Sequence, residues 1–341
     1  MRITRALWAR LTGKPLALCD IGDVDGVASA ALFKRRYPHG VVVLMGPNDV
    51  RKWWVRALRW DFVADLPCPG KARVRADHHI TNKPCAEEEY YDPNAPAAAV
   101  LAAKALGLEG DPVARELVEA AVQTDTAKVS DRRVMLLDLA VRYASEEEKY
   151  TVVNMLAEKG LAALDAEPLK MLTERGLARH GLVLKIADAL PRADVLTIYV
   201  PTRLGISYRM LTIELQKRGT QFVNVLVKKG WRGFRLYCGA NRDSGYNCAE
   251  LAAKFGGGGH KFAAGAHIKA PLFKPDAPIW NLVNITRPKA LYVITKCDRS
   301  ICVQEWAPSR SHERREILRI EDVRAAEGRS HIRLNLYSSQ T

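Results

Sequence analysis

Leu16-Ala-Leu-Cys-Asp-Ile-Gly-Asp-Val-Asp-Gly26 is a short apolar run that breaks into a turn holding three aspartates and two glycines. Residues 16–19 read as a buried strand, and Gly22 and Gly26 punctuate the turn after it. The Ala-rich stretch from Val27 to Tyr37 carries Lys34-Arg35-Arg36 near its end and reads as a helix with cations at its carboxyl terminus. Strand, glycine-bearing turn and helix are the opening of a parallel α/β unit.

The alternation continues outward from that stretch. Val41–Met45 predicts a second strand, Val50–Arg59 a helix and Asp61–Asp65 a third strand. Arg73–Ala76 predicts a fourth, running into Asp77-His78-His79, and Ala95–Leu106 and Val113–Gln123 predict helices. From Asp131 to about Ala187 the pattern is helical and charged. Asp194–Val200 then reads as a strand, Tyr208–Arg218 as a helix, and Gln221–Val227 with Gly233–Gly239 as a ribbon turned at Lys229-Gly230. A helix from Cys248 to Phe255 ends in Gly256-Gly-Gly-Gly259 and His260, and the remainder holds a strand-like 290–295 and a mixed-charge helix near 311–326. The fold class is therefore α/β in four segments: a parallel-sheet domain at 1–130, a helical connector at 131–189, a smaller α/β domain at 190–272, and an extension of unassigned role at 273–341.

The 341 residues carry 52 Lys+Arg against 38 Asp+Glu, a net charge of +14, with 48% hydrophobic and 26% charged residues. That composition excludes wholesale disorder. No apolar run approaches the roughly 20 residues of a membrane span, and the basic start lacks the apolar core of a secretory signal, so a cytoplasmic protein is expected. The positive balance calls for a polyanionic partner: nucleic acid, a nucleotide or an anionic membrane face. The seven cysteines are odd in number and scattered, which predicts reduced, mostly buried thiols.

The carboxylates are placed informatively. Asp20, Asp23 and Asp25 lie just beyond the first predicted strand, Asp65 ends the third and Asp77 ends the fourth. In open α/β sheets the ligand crevice lies outside the carboxyl ends of the strands, so these residues are expected to converge, with Asp125 joining from the end of a helix. Gathered carboxylates repel one another unless cations neutralise them. Aspartate with histidine is a donor set for Mn²⁺, Mg²⁺, Zn²⁺ or Fe²⁺, and a pair of such ions suits hydrolysis at phosphorus.

Asp23-Val-Asp25-Gly26 with Ser29, then Asp65, then Asp77-His78-His79, then Asp125 resemble the ordered motifs of the DHH phosphoesterase superfamily. Gly256-Gly-Gly-Gly-His260, continuing to Ala263-Ala-Gly265, resembles the signature of the associated DHHA1 domain. The resemblance spans about residues 16–272. It implies a metal-binding catalytic DHH domain followed by a substrate-binding DHHA1 domain. It further implies metal contacts for Asp23, Asp25, Asp65, His78 and Asp125, with Asp65 bridging two divalent ions, Mn²⁺ first and Mg²⁺ as the alternative. His79 would face the substrate phosphate, with Asp77 orienting its neighbours. Asn241 and Arg242 would grip a phosphate, and Gly256, Gly257, Gly258, Gly259 and His260 would line a nucleotide groove, where glycine lets backbone approach the ligand.

One position departs from the pattern. A ligand is expected a few residues before Asp23, where Cys19 and Ile21 stand, and Asp20 between them is the substitute. The resemblance implies an enzyme, a phosphodiesterase acting on single-stranded or short oligonucleotides in the manner of RecJ-like exonucleases and oligoribonucleases. Its alternatives are a small-nucleotide phosphatase or cyclic dinucleotide phosphodiesterase, and a non-catalytic, RecJ-related nucleic-acid-binding component of the replisome. A homodimer, or replication and repair proteins, would then be the protein partners. The tryptophans at 53, 54 and 60 pack under the sheet or, as the alternative, form a dimer or nucleic-acid surface. Trp280, Tyr292 and Trp306, set among basic residues, are core aromatics or, as the alternative, a base-stacking surface.

Overall fold

The molecule is described by a computed structural model over residues 2–297 and 300–306, together with the backbone of 314–319. The chain forms two compact units, residues 1–176 and 177–341.

The first unit runs α1 (Arg2–Leu11), β1 (Leu16–Asp20), α2 (Val24–Arg36), β2 (Val41–Met45), a 3₁₀ turn, α3 (Trp53–Ala57), β3 (Trp60–Ala64), β4 (Ala72–Asp77) and β5 (Ala86–Tyr91). Five helices follow: α4 (Ala98–Ala105), α5 (Pro112–Asp125), α6 (Arg132–Tyr143), α7 (Glu146–Lys159) and α8 (Glu167–Ala189), within which the boundary between the units falls. The five strands are all parallel, in the order β2-β1-β3-β4-β5. β1 shows why both faces are buried. Ala17 and Cys19 enter the core beneath α2, α4 and α5, while Leu16 and Leu18 enter a second core beneath α1 and α3. Strand side chains alternate, so a strand of a parallel sheet covered on both sides is apolar on both faces, as β1 is as far as Cys19. The strand order reverses at β1, and the crevice between the carboxyl ends of β1 and β3 is where such sheets place their ligands.

The second unit contains β6 (Val195–Val200), α9 (Tyr208–Lys217), β7 (Phe222–Lys229), β8 (Gly233–Ala240), α10 (Cys248–Ala253), β9 (Gly258–His260) and β10 (Ala263–Lys269). It continues through α11 (Ala277–Thr286), β11 (Ala290–Cys297), β12 (Ser300–Glu305) and β13 (Arg314–Arg319). Its mixed sheet has the order β13-β12-β11-β6-β7-β8-β10-β9.

Several expectations are corrected. The helices of 132–165 pack on the first sheet's core through Leu137, Val153, Leu156 and Leu161 rather than standing as a separate connector. Residues 290–305 are strands of the second unit's own sheet, because β11 pairs in parallel with β6. Residues 314–319 form a strand, not a helix, pairing with β12; the rest of the expected helix at 311–326 lies outside the described residues. The cysteines are not all reduced: Cys68–Cys85, Cys238–Cys248 and Cys297–Cys302 are joined, and Cys19 alone is free and buried. The Cys238–Cys248 pair joins β8 to the start of α10, and Cys297–Cys302 spans the β11–β12 hairpin. Trp60 is fully buried, with its indole N–H donating to the Val55 carbonyl at 2.9 Å, and Trp54 packs beside it, but Trp53 is exposed. Trp306 packs on the second unit's core, 5.3 Å and edge-on from Trp280. Among the described residues no helix is long and apolar enough to cross a membrane.

Candidate metal centre

The carboxyl edge of the first sheet gathers the predicted residues. The tight turn after β1 depends on Gly26, where a Cβ would collide with the Asp20 carbonyl oxygen. Asp23 caps α2, accepting from the Gly26 N–H at 3.4 Å. Asp25 is buried, and its two oxygens accept the Ala98 and Ala99 N–H groups at 2.7 Å each. The residue preceding α4 is Ala97, which has no side chain to cap with. Asp25 supplies that cap from another helix. Asp65, just past β3, sits at φ +58°, a left-handed conformation that costs a non-glycine residue about 1 kcal/mol or more. Asp125 ends α5, where the helix dipole disfavours a negative charge.

His78 is buried, with Nδ1 2.9 Å from the Ala95 carbonyl. A carbonyl only accepts, so Nδ1 carries a proton there and Nε2 is left to face the carboxylates. That atom lies 3.7 Å from Asp25, 3.9 Å from Asp65 and 3.8 Å from Asp125. His79 Nδ1 is 3.0 Å from Asp77 and 3.5 Å from Asp65. Asp77 is fully buried and accepts from Arg75 at 2.9 Å and Asn82 at 2.7 Å as well. Among the described residues of the first unit, three groups draw their donor atoms within 4.8 Å of one another: Asp25 with His78 and Asp125, Asp65 with Asp77 and His79, and Asp20 with Asp23 and Asp65.

The electrostatics separate these residues. Burial, then the neighbouring Asp125 and Asp23, holds the Asp25 carboxyl well above the usual carboxylate range. Burial, then Asp25, Asp23 and Asp20, does the same for Asp65. Burial and the Asp23 charge push Asp20 up to about 7, against the opposing pull of the Gly22 N–H and Lys149. Asp77 behaves differently: burial alone would raise it, yet its bonds from His79 and Asn82 and the charge of Arg75 hold it low. Burial opposes protonation of His79 too, but Asp77 outweighs it and raises that imidazole.

The arrangement fits a metal centre. Asp20 Oδ2 accepts from the Gly22 N–H at 2.7 Å, while Oδ1 is buried with no hydrogen-bond partner. A buried acceptor without a donor is costly unless a cation satisfies it, and Asp20 lies where the sequence pattern lacks its usual ligand. Two supporting residues escaped the sequence reading. Lys149, buried in α7, donates to the Ile21 carbonyl beside Asp20. Arg75, fully buried in β4, ties Asp77 to the Leu66 carbonyl and to Glu89. A charged residue at a buried strand position is the one sequence signal that marks Arg75; nothing in the sequence marks Lys149.

In the second unit Asn241 is structural in its contacts, donating to the Thr220 carbonyl at 3.3 Å, and Arg242 is exposed 5.4 Å from the Phe262 ring centroid. The glycine run is only partly a loop: Gly258–His260 form β9, paired with Ala263–Gly265 of β10. Gly257 packs against Ala266, where a Cβ would lie 2.6 Å away, and Gly258 faces open space.

A five-stranded parallel sheet with an aspartate–histidine edge, together with a second mixed sheet, is the two-domain DHH/DHHA1 fold of RecJ-like structures. In that fold the chain resembles the pGpG-specific phosphodiesterase PggH from Vibrio cholerae at 18% identity and a TM-score of 0.55, over 80% of this chain and 99% of that one. It resembles RecJ from Thermus thermophilus, solved with Mn²⁺, at 15% identity and a TM-score of 0.53, over 86% of this chain but 56% of that one. A further exonuclease RecJ bound to manganese is similar at 14% identity and a TM-score of 0.50, over 84% and 94%. No protein-family model and no curated protein sequence matches the chain.

Proposed function

We propose that the chain is a metal-dependent phosphodiesterase that hydrolyses single-stranded or short oligonucleotides, with its reaction centre at the aspartate–histidine edge of the parallel sheet. The observation that carries this reading is the buried, unpartnered Oδ1 of Asp20 beside Asp23 and Asp65. Asp20, Asp23, Asp25, Asp65, His78 and Asp125 would hold two divalent ions, Mn²⁺ or Mg²⁺. Such ions, when bound, acidify water and stabilise charge on the leaving oxygen at phosphorus.

The remaining work falls to the protein's own side chains. Asp77, fixed by Arg75 and Asn82, orients His79 and favours its protonated form. In that form His79 would donate to a non-bridging phosphate oxygen and to charge that develops there. His78 is oriented by the Ala95 carbonyl and would offer Nε2 to the metal. In the second unit, Arg242 is the candidate for a phosphate contact, and the open backbone at Gly258, with Gly256, Gly257, Gly259, Asn241 and His260, for the nucleotide.

The likeness in fold to a phosphodiesterase described as pGpG-specific supports the short end of the substrate range. The test compares Mn²⁺-dependent release of mononucleotides from a dinucleotide and from a longer single strand, with His78→Ala as the blank. The reading expects faster turnover of the shorter substrate and a loss of about a thousandfold or more in the variant. Salt-sensitive binding without hydrolysis under any divalent metal, or full turnover by His78→Ala, would overturn it.

A further inference from the structure

The amino ends of β1 and β2, at the opposite edge of the sheet from the aspartates, border a cleft of about 320 Å³. β1 has five residues, so the two edges are about 15 Å apart. Three cations line the cleft: Arg5 from α1, Lys14 just before β1 and Lys34 from the last turn of α2. No carboxylate does.

The cations are held by rings and carbonyls instead. The Arg5 guanidinium lies 4.0 Å from the Tyr150 ring centroid, and Lys14 Nζ lies 4.0 Å from the Trp8 ring centroid. Tyr150 is itself fixed, its hydroxyl accepting from the Leu44 N–H at 3.1 Å. Lys34 Nζ donates to the carbonyls of Pro38 and Gly40. Ring faces and carbonyls orient a cation without cancelling its charge, and Arg and Lys carry five and three donors respectively. Burial, then the charges of Lys14 and Arg5, lowers the Lys34 ammonium, so the three cations act on one another across the cleft.

We propose that this cleft is a second anion site, which binds a phosphate group carried by a nucleotide or free in solution, apart from the aspartate–histidine edge. Convergent Arg and Lys with unused donors are the chemistry that recognises phosphate. An anion entering the cleft relieves the mutual repulsion. Trp8 and His39 are exposed at the rim, beside which the base of a nucleotide would lie.

The test is calorimetric titration of the full chain, in chelator so that no divalent ion draws phosphate to the aspartates. The probes are inorganic phosphate, pyrophosphate and 5′-AMP at low ionic strength. The expected result is saturable binding, weakened about tenfold or more by Lys14→Ala and by Lys34→Met. Tighter binding of 5′-AMP than of phosphate identifies the nucleotide as the source, and equal binding identifies free phosphate. Should Lys34→Met fail to fold, Lys14→Ala and Arg5→Gln carry the comparison. No saturable binding of any probe, or wild-type affinity in Lys14→Ala, would overturn the proposal.

Discussion

Asp65 concentrates the tension at the aspartate edge. It combines a left-handed backbone at φ +58° with a buried carboxylate that Asp25, Asp23 and Asp20 all push toward protonation. Glycine relieves both burdens at once. Asp65→Gly is therefore expected to raise the stability of the metal-free protein by about 1 kcal/mol, read by urea unfolding in chelator, while removing metal-dependent activity. A loss of stability would show that the carboxylate is a structural prop. Asp25 also caps α4. Asp25→Ala should thus cost about 1–2 kcal/mol of folding stability. An unfolding midpoint unchanged from wild type would contradict the cap.

Among the elements, α9 gives a pH dependence with a definite sign. Glu214 is buried and accepts from Lys217 at 2.9 Å and Arg218 at 3.0 Å. Burial would raise its carboxyl, but those partners outweigh it and hold it below the ordinary value. A depressed carboxylate stabilises the fold above its unfolded pKa and loses that contribution as pH falls through the folded one. Glu214→Gln should accordingly lower stability by about 1 kcal/mol near pH 7. The gap from wild type should close in acid, below the ordinary carboxylate range. A gap independent of pH in thermal unfolding would point to packing instead.

The same scale shows what a sequence reveals. β1 and β2 were legible because short apolar runs broken by glycine-bearing turns read as buried strands of a parallel sheet. β5, Ala86-Glu-Glu-Glu-Tyr-Tyr91, was not, since an exposed edge strand needs no alternation and can carry charge. β11 was seen as a strand, but its pairing with β6 joins residues nearly a hundred positions apart, which no local pattern encodes. The same kind of distance hid Lys149 from the loop it supports. The aspartates and histidines of the site were visible because each sits at a strand or helix end. What could not be read was which of them also caps, orients or bends the backbone.

Across the whole molecule, the +14 charge is unevenly distributed, with +7 in residues 1–60 and +9 in residues 201–272. The acidic edge that would take the metal thus sits in a chain otherwise biased toward phosphate. The account stands or falls on whether that edge binds divalent ions, and equilibrium dialysis against Mn²⁺ measures this most directly. The account predicts about two ions per chain in the wild-type protein and a loss of saturable binding in Asp65→Gly. No saturable binding of Mn²⁺ or Mg²⁺ by the wild-type chain, or binding unchanged in the variant, would contradict it.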